Sequence, residues 1–189
     1  MQINREAALA LFREFNQSES LYTHALAVEA VMRHAAELRG YDPEFWGIVG
    51  LIHDLDYEKY PQEHCVKSAE ILRDRGWPEE VVHAVVSHGW GLCSDVEPVH
   101  EMEKVLYATD ELTGLITATV LVRPSKSILD LEVKSVKKKW KAKGFSAGVD
   151  RAVIEKGASM LEMETGDLIA MTIEGMKTAA EEIGLAGSK

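Results

Sequence analysis

The sequence predicts an all-α fold, a globular bundle of helices. Apolar residues recur at spacings of three and four along most of the 189 residues, and Gly or Pro punctuates the pattern at helical lengths. No convincing period-two strand appears, heptads are not sustained as a coiled coil requires, and no repeat or linker divides the chain. One domain over residues 1–189 is the expectation.

The opening Met1-Gln2-Ile3-Asn4-Arg5-Glu6 turns amphipathic at once, with no basic segment feeding an apolar core and a cleavage site, so a cytoplasmic location is expected. Leu21, Ala25, Val28, Met32 and Ala35 then define a helix over about 19–39, ended by Gly40. Asp42-Pro43-Glu44 starts the next, with Asp as N-cap and Pro at the first helical position. In that helix Phe45, Trp46, Ile48, Val49, Leu51 and Ile52 point in all directions, which predicts burial on every side. It runs straight into His53-Asp54. Pro61 opens a helix to about Arg75, closed by Gly76, and Pro78 opens another to about His88, closed by Gly89-Trp90-Gly91. A long helix spans about His100 to Val122 and breaks at Arg123-Pro124-Ser125. Three more are expected near 130–143, 149–163 and 166–183, with turns at Gly144, Gly148 and Gly166.

Composition narrows the partners. Apolar residues make up 46% and charged residues 28%, which is globular, and no apolar stretch is long enough to span a bilayer, so no membrane role is expected. A net charge of −10 repels a phosphate backbone and argues against general nucleic-acid binding. It does not exclude a small anion. Between Arg123 and Lys143, eight basic residues stand against Asp130 and Glu132. The lysines of that run read as a solvated helix face. Arg123 and Lys126, at the break after the long helix, are the expected substrate-binding cations at the mouth of a site. Cys65 and Cys93 have no metal-type spacing and read as small packed hydrophobes.

Six of seven histidines fall between His24 and His88. Asp54 ends a helix that is apolar all round, where an ionised carboxylate is costly unless a cation or metal accompanies it. His53 beside it offers an imidazole. On a helical wheel His24 lies beside the Leu21, Val28 and Val31 stripe and faces the core, whereas His34 falls on the flank. The same reasoning puts Asp110 at the edge of the buried face of its helix and points Glu111 away. His24, His53, Asp54 and Asp110 form a mixed nitrogen and oxygen set that suits Mn, Fe, Co, Ni or Mg better than a closed structural zinc site.

This ordered set, with the doublet in Leu51-Ile52-His53-Asp54-Leu55-Asp56 and the aspartate in Ala108-Thr109-Asp110-Glu111-Leu112, resembles the HD-domain superfamily of metal-dependent phosphohydrolases. The resemblance covers about 18–122, leaving 123–189 as a helical extension packed on the core. It implies that the four residues hold a divalent metal, and that a small phosphate ester or nucleotide-like substrate is hydrolysed by a metal-activated water. The run His64-Cys65-Val66-Lys67-Ser68-Ala69-Glu70-Ile71-Leu72, with Val85-Val86-Ser87-His88, is similar to the HDIG-like branch, which implies a second ion held by His64 and His88 and bridged by Asp54; His83 points the other way. One or two ions are therefore implied, drawn from Mn, Fe, Co, Ni, Mg and Zn. Leu55-Asp56 stands where that branch often has Ile-Gly, and Tyr57 where the nucleotidase branch carries a glutamate. Glu58 and Lys59, just beyond, are the expected catalytic companions of Asp54 for proton transfer or substrate contact. The scaffold also resembles di-iron oxygenases of the superfamily, and a non-catalytic binding module stapled by metal is the remaining alternative.

Overall fold

The computed structural model describes residues 3–142 and 144–187; Met1 and Gln2 at the start and Lys143, the last of the basic run, lie outside them. Among the described residues there are nine α-helices and no strand. α1 (Arg5–Phe15) follows Asn4, whose side chain accepts from Ala7 N at 2.8 Å. It is a full helix where the sequence showed only an amphipathic start. α2 (Glu19–Arg39) begins at the Ser18 cap and ends at Gly40, whose φ of 74° is the left-handed conformation that closes a helix. α3 (Pro43–Ile52) begins at Asp42, which accepts from Glu44 N. The all-round apolar pattern is matched by burial of every residue from Trp46 to Ile52.

α2 is the central helix and packs against α3 and against two helices from later in the chain, α6 (Glu101–Leu121) and α9 (Thr165–Lys177). The one acid on its buried stretch, Glu29, is held by Arg5 at 2.6 and 2.9 Å and by Arg33 at 3.0 Å, which compensates its removal from water.

The helix expected over 61–75 is broken. Pro61–Glu63 form a single 3-10 turn, His64 and Cys65 are non-helical, and α4 covers Val66–Asp74. Cys65 has φ of 68°, uncommon for a residue with a Cβ. Contacts on either side impose it. The His64 ring turns inward to Asp56 Oδ1 at 2.7 Å, while Asp56 Oδ2 accepts the Ser68 N–H of the first turn of α4, also at 2.7 Å. Helical propensity is overridden by one buried carboxylate.

α5 (Glu79–Ser87) leads to His88, and α6 opens with a capping box between His100 and Glu103. α7 (Val133–Trp140), α8 (Arg151–Met160) and α9 are shorter than the pattern suggested. α8 and α9 pack on α6 and α2 at close range: a Cβ on Gly157 would lie 2.6 Å from Ala108 Cα, and one on Gly175 2.7 Å from Val31 Cα. Only glycine permits those crossings. No described helix is long and apolar enough to cross a membrane.

Candidate metal centre

His24 from α2, His53 and Asp54 from the end of α3, and Asp110 from α6 meet although they are far apart in sequence. His24 Nε2 lies 2.9 Å from Asp110 Oδ1 and 3.3 Å from His53 Nε2; His53 Nε2 lies 3.3 Å from both Asp110 Oδ1 and Asp54 Oδ2. Asp54 Oδ2 is 3.7 Å from His24 Nε2. The other oxygen of Asp54 faces a second pair. His64 Nε2 and His88 Nε2, 3.2 Å apart, stand 3.4 and 3.5 Å from Asp54 Oδ1. One carboxylate thus divides its two oxygens between two sets of imidazoles.

The backbone orients these rings. His53 Nδ1 donates to Gly50 O at 2.7 Å, His88 Nδ1 donates to Val85 O, and His64 Nδ1 donates to Asp56. Each ring spends its proton on the outer side, so Nε2 presents a lone pair inward. The inward lone pairs of His64 and His88, 3.2 Å apart, repel unless a cation lies between them. The charges agree. Burial alone would raise the Asp54 and Asp110 carboxyls, yet His53 and the neighbouring imidazoles hold both well below the usual range. Burial opposes a charged His53, but Asp54 and Asp110 hold its pKa well above the ordinary value, so without an ion a proton takes the inward position on Nε2 that the same anions would otherwise offer to a metal. Nitrogen lone pairs and anionic oxygens in this density fit divalent metal ions.

The centre opens into a cleft of about 470 Å³. His24, Asp54, His64, His88 and Asp110 form its polar floor, and Leu21, Tyr57, Leu92, Tyr107 and Val153 contribute apolar walls. Glu111 lines it as well. The wheel had pointed this residue away, but the loop before α8 folds over it and Asp150 N–H donates to its Oε2 at 3.2 Å. Partial burial, with the Asp110 charge beside it, pushes the Glu111 carboxyl up to about 7. No amphipathic pattern within α6 carries that information.

The remaining sequence candidates lie elsewhere. Glu58 Oε2 accepts Gln17 N–H and Ser18 N–H, each at 2.8 Å, and so ties down the entrance to α2. Lys59 Nζ sits 4.8 Å from the centroid of the Phe15 ring. Arg123 is spent on Asp130 at 2.7 Å and on the Ser127 carbonyl, and Lys126 is exposed. None of the four lines the cleft, which corrects their expected place beside the substrate; the start of α2, the Phe15 ring and Asp130 engage the first three. Among the described lining residues there is no Lys or Arg. The α7 lysines are a solvated face as expected, with Lys137 and Lys138 exposed. His83 binds Glu103 at 2.7 Å, away from the centre.

The cysteines are not the isolated hydrophobes the sequence suggested. Their Sγ atoms are 3.0 Å apart, and Cys65 Sγ clusters within 4.8 Å of the His64 and His88 ligand atoms. Accepting the Cys65 thiol hydrogen, with the two imidazoles nearby, lowers Cys93 to about 6, while Cys65 is pushed up. With the geometry described, one comparison with known proteins bears on it: the family model of the HD domain matches residues 21–114. No curated protein and no solved structure matches the chain.

Proposed function

Residues 21–114 of this chain are an HD domain, and from that premise we propose that the protein is a metal-dependent hydrolase of a small phosphate ester. The observation that carries the reading is the division of Asp54, with Oδ2 toward His24 and His53 and Oδ1 toward His64 and His88. Such an arrangement supports two ions that share one carboxylate, with Asp110 completing the first set.

When bound, divalent metals here would supply an acidified water and offset charge on the phosphoryl oxygens. The chain's residues do the rest. The Nδ1 bonds of His53, His64 and His88 fix the rings before any ligand arrives, so little reorganisation is needed. Asp54 sets the separation of the two subsites. Glu111 is the one lining carboxyl outside the convergent set, and at about pH 7 it can exchange a proton with a leaving oxygen. A cleft of about 470 Å³ suits a small molecule, and Tyr57, Tyr107, Leu92 and Val153 favour a leaving group with an apolar face.

The test is elemental analysis of the purified protein, followed by a panel of phosphate monoesters, phosphodiesters and nucleotides with the metal found. Turnover of at least one phosphomonoester that is lost on chelation and restored by that metal is the expected result. Absence of phosphate release across the panel, with oxygen consumed by an iron-loaded form, would replace the reading with oxygenase chemistry.

A further inference from the structure

Cys65 and Cys93 are the two cysteines of the chain, 28 positions apart, yet their Sγ atoms approach to 3.0 Å. That separation is about 1 Å beyond a disulfide bond. Three local features build it. The inward turn of His64 throws Cys65 into its positive-φ conformation and aims its side chain back toward the α5 end. A tight turn then folds Cys93 over Gly89, with Leu92, Cys93 and Ser94 N–H all directed at Gly89 O at 2.9, 3.0 and 3.1 Å. Gly89 itself has no side chain where both sulfurs sit, and any Cβ there would collide with each of them. The two thiols also differ in access: Cys65 is buried, whereas Cys93 is exposed and lines the cleft.

We propose that Cys65 and Cys93 form a reversible thiol-oxidation site that closes to an intrachain disulfide in the cleft wall when the protein meets a hydroperoxide. Cys93 sulfur attacks the outer peroxide oxygen and the O–O bond breaks. The remaining alkoxide leaves as alcohol with the thiol proton, and Cys93 becomes a sulfenic acid. Cys65 sulfur then attacks Cys93 sulfur, the S–O bond breaks, and the hydroxyl departs as water with the Cys65 proton. Two thiols and one hydroperoxide become one disulfide, one alcohol and one water. The bond joins the residue after His64 to the turn after His88, so oxidation clamps the segments that carry both rings. Its effect on a second metal ion rests on the reading of those histidines as ligands, but the thiol chemistry does not.

The test uses the full chain, reduced, treated with EDTA and then exposed to one equivalent of hydrogen peroxide. Thiols are counted, and tryptic peptides are mapped without reduction. The expected result is loss of both thiols together, a linked Cys65–Cys93 peptide and full reversal by dithiothreitol. Against a glutathione couple, the folded dithiol should show an effective concentration about 10²-fold above that of the urea-unfolded chain. Oxidation that stops on Cys93 with Cys65 still free, disulfides between chains, or a folded-to-unfolded ratio near one would each overturn the proposal. Metal uptake by the reduced protein is measured separately, and a failure there counts against the metal reading alone.

Discussion

Asp56 accepts the Nδ1 proton of His64 at 2.7 Å, and because a carboxylate can only accept, the His64 nitrogen turned toward Asp54 is the one with a free lone pair. Asp56 also holds Ser68 N–H, so both of its oxygens are engaged. Asp56→Asn can accept only one of these bonds. The variant is expected to lose about 10- to 100-fold in affinity at the His64 and His88 subsite while leaving the other subsite near its original affinity. Isothermal titration of the chelated protein with metal checks this, and an equal loss at both subsites would count against an orienting role.

Removal of Asp54 and of His88 should be distinguishable. Asp54→Ala takes an oxygen from each subsite, so bound metal and phosphatase activity fall together to background, whereas His88→Ala spares the His24, His53 and Asp110 set and retains one ion. Metal content by mass spectrometry, with circular dichroism to confirm retained helicity, separates the two. A full complement of metal in Asp54→Ala would refute the shared-carboxylate arrangement.

Glu58 should act on stability alone. Its two hydrogen bonds to the start of α2 are solvent-exposed, so Glu58→Ala is expected to cost about 1 kcal/mol in urea unfolding and to leave kcat and metal content unchanged. A large fall in kcat at full metal loading would return this residue to the chemistry.

The raised Glu111 carboxyl makes a prediction for the metal-stripped protein. Its pKa is about 7 when folded against about 4.5 for a glutamate in water, so between those values the folded state holds a proton that the unfolded state has released. Stability contributed through this group is therefore present at low pH and declines as pH rises through 4.5 toward 7. Glu111→Gln should raise Tm relative to wild type at pH 8 and have little effect at pH 4. A stabilisation of equal size at both pH values would show that ionisation is not its source.

Gly157→Val tests the close crossing of α8 on α6. The added side chain must displace Ala108 backbone, and overpacking of that kind costs typically about 1–3 kcal/mol. Chemical denaturation measures the loss. An unchanged midpoint would mean that α8 can move away without penalty.

Much of the centre was legible because the relevant signals are local. His24 and Asp110 declare themselves by their place on an amphipathic wheel, and Asp54 by following a helix with no polar side. What was illegible depends on contacts made across the chain. Val66–Asp74 begins late because Asp56 captures His64 and Ser68, and neither bond leaves a trace in helical periodicity. Glu111 faces the cleft because the segment before α8 closes over it. The cysteine pair joins positions whose spacing matches no motif, and Arg123, expected as a substrate-binding cation, is occupied by Asp130, a pairing that helical periodicity does not announce.

The seam between Gly157 and Ala108 has a further consequence. It anchors the stretch that supplies Gly148 and Val153 to the cleft, and that stretch lies wholly outside residues 21–114, which contain every candidate metal donor. One part of the cleft wall is therefore contributed from outside the segment that holds the candidate donors, while Leu21, Tyr57, Leu92 and Tyr107 belong to that segment itself. Substitutions at Gly148 or Val153 can reshape that stretch of wall while every candidate donor keeps its place, so the outline of the cleft can vary independently of the convergent histidines and aspartates.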